Sequence, residues 1–227
     1  MTITPSTLTR AGAVALALAG ALFILIQPLH PHEDIAGITS SVWVTVHLLS
    51  WTMAALGLVG VTAIYLTQVK KFGVLGLLAT LVFSLFFLTQ ACVNFAEAFI
   101  LPLSAAGSPK LTEDVASLFV TGYVLQTDVG PLAIVGSIGA VLYLGGGVLF
   151  GIAVLRANVL PRWTGILLIV AALASLSAAI LPHELARYAA VPMGIALIAL
   201  GLALFAQQRK VASTAITTEP RSASVSA

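Results

Sequence analysis

Six apolar runs, residues 11–29, 41–66, 72–101, 131–155, 163–181 and 191–206, alternate along the chain with short polar connections. A helix needs about 20 mostly apolar residues to cross a bilayer. Each run is therefore read as a span, and the fold class as an all-α, polytopic transmembrane bundle in a single domain over residues 11–206. Residues 1–10 form a short lead. Residues 207–227, rich in Ser, Thr and Ala without apolar period, read as a disordered tail. The first run follows Arg10 as a signal-peptide core would, but it has no small-x-small cleavage site before His30, so it is taken as an uncleaved span. The third is long enough to tilt or to project beyond the hydrocarbon. Between the third and fourth lies an outer interfacial segment, residues 112–128. Its apolar part, 115–127, is too short to cross and is expected as an interfacial or re-entrant helix, an extension of the fourth span, or a lid.

Composition agrees with that pattern. Hydrophobic residues make up 59%, charged residues 8%, and the mean hydropathy is +1.09, against roughly a quarter charged in soluble domains. The net charge of +2 is small, and no basic stripe with interleaved aromatics marks a nucleic-acid partner. Charge placement carries more information than its sum. Arg10, Lys70, Lys71, Arg156, Arg162, Arg209, Lys210 and Arg221 fall on one side of the alternating spans, and only Lys110 and Arg187 on the other. By the positive-inside rule both termini are expected in the cytoplasm. Trp43 and Tyr188 are expected at the outer interface, Tyr65 and Trp163 at the inner one. Cys92 stands alone, excluding an intramolecular disulfide and a multi-cysteine metal site. Gly147 and Gly151, four apart, would let a neighbouring helix approach closely, including one from a second copy of the chain. AIYLTQVKKFGVLGLL and AVLRANVLPRWTGILL form a weak internal repeat, explained equally by duplicated helix pairs or by ordinary interface composition.

Candidate chemistry gathers at the outer end of the third span, FFLTQACVNFAEAFILP, where Gln90, Asn94 and Glu97 share one helix face. His47 and Asn94 each lie 23 residues from a lysine of the inner hairpin. At ~1.5 Å per residue they should be level, about 33 Å outward. All four histidines, His30, His32, His47 and His183, belong to that half, with Glu97 and Asp128. The loop members are adequately explained as solvated turn residues. His47, Gln90, Asn94 and Glu97 interrupt apolar helices, where a charge costs ~2.5–3.5 kcal/mol near the bilayer centre, so they are expected to face inward as a helix-joining network or a pocket. Gln90, Asn94 and Asp128 are candidate ligand-binding residues. His47 and Glu97 are candidate catalytic residues, base and acid toward a lipid-soluble substrate. His47, Glu97, His183 and Glu184 are candidate ligands for a divalent metal such as zinc, although no HExxH-type spacing is present. A haem between two span histidines would need His183 to reach inward.

HPHED before the second span, Glu97 with Pro102 at the end of the third, and LRANVLPRWTGILL between the fourth and fifth make the chain resemble small six-span bacterial integral membrane proteins of uncharacterised function. The likeness covers residues 11–206 and implies architecture and a bacterial inner membrane, but no activity. The expected partners are the bilayer and a lipid or small apolar ligand. Two functions fit: a non-enzymatic protein with an outward polar vestibule for a small ligand, ion or lipid, serving as sensor, accessory subunit or minimal transporter, and a membrane-embedded enzyme acting on a lipid or isoprenoid.

Overall fold

The computed structural model describes residues 4–218, except for the side chains of residues 183, 184 and 210–218. All regular structure among the described residues is helical: α1 (Pro5–Leu29), α2 (Ile35–Ile38), α3 (Ser41–Thr67), α4 (Val69–Phe99), α5 (Leu101–Ser104), α6 (Pro109–Ala116), α7 (Val135–Ala157), α8 (Arg162–Ala174), α9 (His183–Ala186) and α10 (Val191–Thr218). Three 3-10 segments, Gly130–Ile134, Ser175–Ala179 and Arg187–Ala190, precede α7, extend α8 and precede α10. Six helical stretches are long and apolar enough to cross a membrane: Pro5–Leu29, Ser41–Thr67, Val69–Phe99, Gly130–Ala157, Arg162–Ala179 and Arg187–Arg209. The protein has the make-up of a multi-pass membrane protein.

Local chemistry sets the helix boundaries. Thr4 Oγ1 accepts from Thr7 N at the start of α1, and Ser40 Oγ accepts from Trp43 N at the start of α3, each satisfying an otherwise unpaired helix N–H. Asn158 takes a left-handed conformation (φ 51°) to end α7. The α3–α4 turn is tighter. Lys70 and Lys71 lie in a helical turn cut off from the rest of α4 by Gly73, which is non-helical with φ 58°. The expected regular fifth span gives way after Ala174 to a 3-10 turn, where Ser175 and Ser177 donate their hydroxyls to the carbonyls of Ala172 and Ala174. The last helix continues past Ala206 to Thr218, and the rest of the expected tail lies outside the described residues.

The six long helices close a ring: α1 packs on α3, α3 on α4, α4 on α7, α7 on α8, α8 on α10, and α10 back on α1. Aromatic rings fill the interior in a chain of contacts, Phe72 to Phe150, Phe150 to Phe83, Phe83 to Phe86 and Phe87, and Phe86 to Tyr143. The outer surface stays apolar, with Leu66, Val74, Val141 and Leu202 exposed, as expected when lipid is the solvent. Lipid offers no hydrophobic drive for helices to associate, so close backbone approach matters more. A Cβ on Gly151 would lie 2.8 Å from Gly165 O of α8, and one on Gly146 2.8 Å from Phe83 Cα of α4. Gly147 and Gly151 are thus engaged with α8 of the same chain.

These contacts distinguish two glycines of one helix. Gly151→Ala should lower the thermal unfolding midpoint in detergent, at a cost of about 1–3 kcal/mol for an overpacked methyl. Gly145→Ala, where an added Cβ meets nothing within 4 Å, should leave it unchanged.

Candidate functional site

α3 buries Trp43, Val46, His47 and Ser50 on one face, and α4 buries Asn94 and Glu97 toward its outer end. Antiparallel packing brings these faces together, and His47 Nε2 approaches Glu97 Oε2 to 3.3 Å. The opposite ring nitrogen of His47 lies 2.7 Å from Trp43 O. A carbonyl only accepts, so Nδ1 carries a proton and donates it. Nε2 and Oε2 would then meet as two lone pairs unless one more proton sits on either of them. One proton on either group, as imidazolium with carboxylate or as imidazole with carboxylic acid, relieves that repulsion. Trp43, fully buried, donates Nε1–H to Glu97 O at 2.8 Å and joins α3 to the last turn of α4. Its ring lies 4.2 Å from that of His47, and the His30 ring stands edge-on to both, 5.1 Å from His47 and 5.7 Å from Trp43.

A second polar layer covers the first. Arg187 donates Nη1–H to His30 O at 2.6 Å, and its Nη2 is 3.7 Å from Glu33 Oε1. His30 Nδ1 donates to Pro31 O at 2.8 Å and lies 3.6 Å from Glu33. Burial holds the His30 imidazole below its usual range, against the opposing pull of the Pro31 carbonyl and Glu33, which leaves His30 neutral at pH 7.

Above this layer the chain from 117 to 129 forms a strap rather than the helix expected over 115–127. α6 stops at Ala116, and Asp114, at 0% exposure, organises the residues beyond it. Its carboxylate accepts from Thr127 Oγ1 (2.6 Å), Thr127 N (2.7 Å), Gln126 N (3.0 and 3.1 Å) and Tyr123 OH (3.0 Å). Burial alone would raise its pKa, but these donors outweigh it and hold Asp114 below the usual carboxylate range. The strap rests on α7, where Gly136 receives the Leu118 carbonyl and Gly139 the Phe119 ring. Glu113 Oε1 accepts from Ile35 N, tying α6 to α2. Between strap and α1–α3 turn lies a cleft of about 270 Å³ lined by His32, Glu33, Asp34, Ser117, Val120 and Tyr123.

Of the candidate residues, His47 and Glu97 are brought together. Asn94 is buried one turn deeper, donating Nδ2–H to Gln90 O at 2.7 Å, while Gln90 is half-buried. Asp128 accepts from Gly130 N at 2.8 Å, a local turn contact. The side chains of His183 and Glu184 lie outside the described residues, and among the described residues no three or more His, Cys, Asp or Glu gather as a metal site. Trp43, in the first turn of α3, is buried at the centre of this cluster, and its i, i+4 spacing to His47 was the available signal. Asp114, Glu33 and Arg187 carried none. The chain matches no family model, no curated protein and no solved structure.

The strap should loosen when Asp114 loses its charge. Asp114→Asn is expected to speed hydrogen exchange at the Gln126 and Thr127 amides by about tenfold or more, the scale of one lost charge-assisted bond. Because the folded-state pKa of Asp114 is lowered, its contribution is complete above the ordinary carboxylate range and disappears as pH falls through the lowered value. Wild-type protection of 117–129, corrected for intrinsic exchange, should fall toward that of the variant on acidification and hold steady from pH 6 to 8.

Proposed function

We propose that this integral membrane protein binds a small cation at the polar end of its ring, as a sensor or accessory subunit would. One observation carries the reading: a buried imidazole and carboxyl group face each other 3.3 Å apart beneath a cleft lined by Glu33 and Asp34. An imidazole nitrogen and a carboxylate oxygen facing each other are the donor types that an incoming cation takes up. Glu33 lines the cleft and also approaches His30, whose ring meets His47, so polar groups run unbroken from cleft to pair. The same pair favours a second reading, a membrane-embedded enzyme that moves a proton to or from a lipid or isoprenoid. We place both termini on the cytoplasmic side of a bacterial plasma membrane, a reading supported by the basic residues Arg10, Lys70, Lys71, Arg156, Arg162 and Arg209 at the ring end away from the cleft.

Native mass spectrometry of the protein in mild detergent, with thermal unfolding in the presence of Zn2+, Mg2+ or choline, separates these readings. At a hundredfold excess over its dissociation constant a bound probe should stabilise wild type by about 2.7 kcal/mol, and Glu97→Gln should abolish the shift. A co-purified lipid that wild type converts and Glu97→Gln does not would replace cation binding with the enzyme reading. No probe effect and no retained species would refute both. For topology, in a Cys92→Ser background, a membrane-impermeant maleimide applied to whole cells with a permeable outer layer should label Asp34→Cys and spare Thr7→Cys; the reverse pattern would invert the orientation.

A further inference from the structure

The opposite end of the ring carries a different feature. On the lipid-facing side of α1, Ala11 and Ala15 form the floor of a shallow groove of about 460 Å³, walled by Val14, Leu18, Leu56 of α3 and Phe205 of α10, with Arg10 at its mouth. Arg10 Nε is buried and has no hydrogen-bond partner among the described residues. Arg209 is exposed one turn beyond Phe205, on the face of α10 that lines the groove. Neither has a carboxylate to meet among the described side chains: Glu33, Asp34, Glu97, Glu113, Asp114 and Asp128 all belong to the far half of the ring or its connections. A buried guanidinium N–H without an acceptor is costly, and here the described helices offer none.

The groove's dimensions select the donor of that acceptor. From Arg10 to Leu18 is eight residues, about 12 Å along α1, close to the ~15 Å depth of one leaflet of a ~30 Å hydrocarbon core. An apolar channel one leaflet deep, headed by a cation with an unused donor, complements an acyl chain headed by a phosphate. We infer that the α1 groove holds one anionic phospholipid, with an acyl chain along Ala11, Val14, Ala15 and Leu18 and its headgroup phosphate on Arg10. The phosphate oxygens accept from the Arg10 guanidinium, and Arg209 adds attraction for the negative headgroup. The groove's apolar wall also exists without the charge, so headgroup selectivity is the property that tests the assignment.

Native mass spectrometry of the full-length protein, delipidated in mild detergent and titrated with phosphatidylglycerol or phosphatidylcholine, reads that selectivity directly. Wild type should retain one phosphatidylglycerol per chain in clear preference to phosphatidylcholine. A guanidinium near the membrane surface is worth about 1 kcal/mol toward an anionic headgroup, which is about fivefold in occupancy. Arg10→Gln should lose that factor, and Arg10→Gln with Arg209→Gln about twenty-five-fold. Ala11→Trp, which fills the groove at an exposed position, should displace both lipids and leave the unfolding midpoint unchanged. Lys110→Gln, an exposed basic position in α6 at the other end of the ring, should leave the lipid preference unchanged. Equal retention of the two lipids by wild type, undiminished phosphatidylglycerol on Arg10→Gln, equal loss on Lys110→Gln, or a protein dimer in place of the lipid adduct would each overturn the assignment.

Discussion

In a hydrocarbon solvent an apolar helix gains nothing by hiding apolar surface, so the ring depends on places where backbones touch because a side chain is missing. Gly20 against Gly194 joins α1 to α10, Gly151 against Gly165 joins α7 to α8, and Gly146 admits α4 to α7. Dispersion forces between atoms in contact then provide attraction that the lipid side of each helix lacks. The aromatic chain from Phe72 to Tyr143 fills the space inside. Six helices in a ring leave an axis to fill, and aromatic side chains fill it with few rotatable bonds to order.

The same solvent decides where polar chemistry is tolerated. A lone imidazole or carboxylate in this interior would be strongly unfavourable, and the ring admits the two only as partners. Trp43 matters here twice: its carbonyl takes the His47 Nδ1 proton and its indole N–H holds the backbone of Glu97. One residue thus fixes the tautomer of the imidazole and the position of the Glu97 backbone. Arg187 and Glu33 complete a cover over the pair, drawn from the α1–α3 turn and from the segment leading into α10.

Six spans were legible because length and hydropathy are properties of single segments. The site was legible in part. His47 and Glu97 stand out as polar residues within apolar helices, but a count of helical rise set His47 level with Asn94, and its partner is Glu97, one turn farther out. The count assumed a straight α4 from Lys71, whereas Gly73 interrupts the helix and separates the lysine turn from the rest. That Trp43 turns inward against His47 was hidden because composition does not reveal which way a helix is rotated. The strap was hidden for another reason. Asp114 acts on residues nine to thirteen positions away through side-chain and backbone bonds, and nothing periodic announces such a clamp.

The ring's closing seam joins helices far apart in the chain, with residue 20 against residue 194 and residue 13 against residue 201. During synthesis α1 enters the membrane first and α10 last of the six, while each of the other five seams of the ring joins spans that follow one another along the chain. α3 can therefore dock on α1 early, whereas the glycine face that receives α10 stays open to lipid until every other span has been inserted. Closure of the ring is thus its one contact between the ends of the spanning sequence. A chain inserted span by span lacks this seam until its last span is in place.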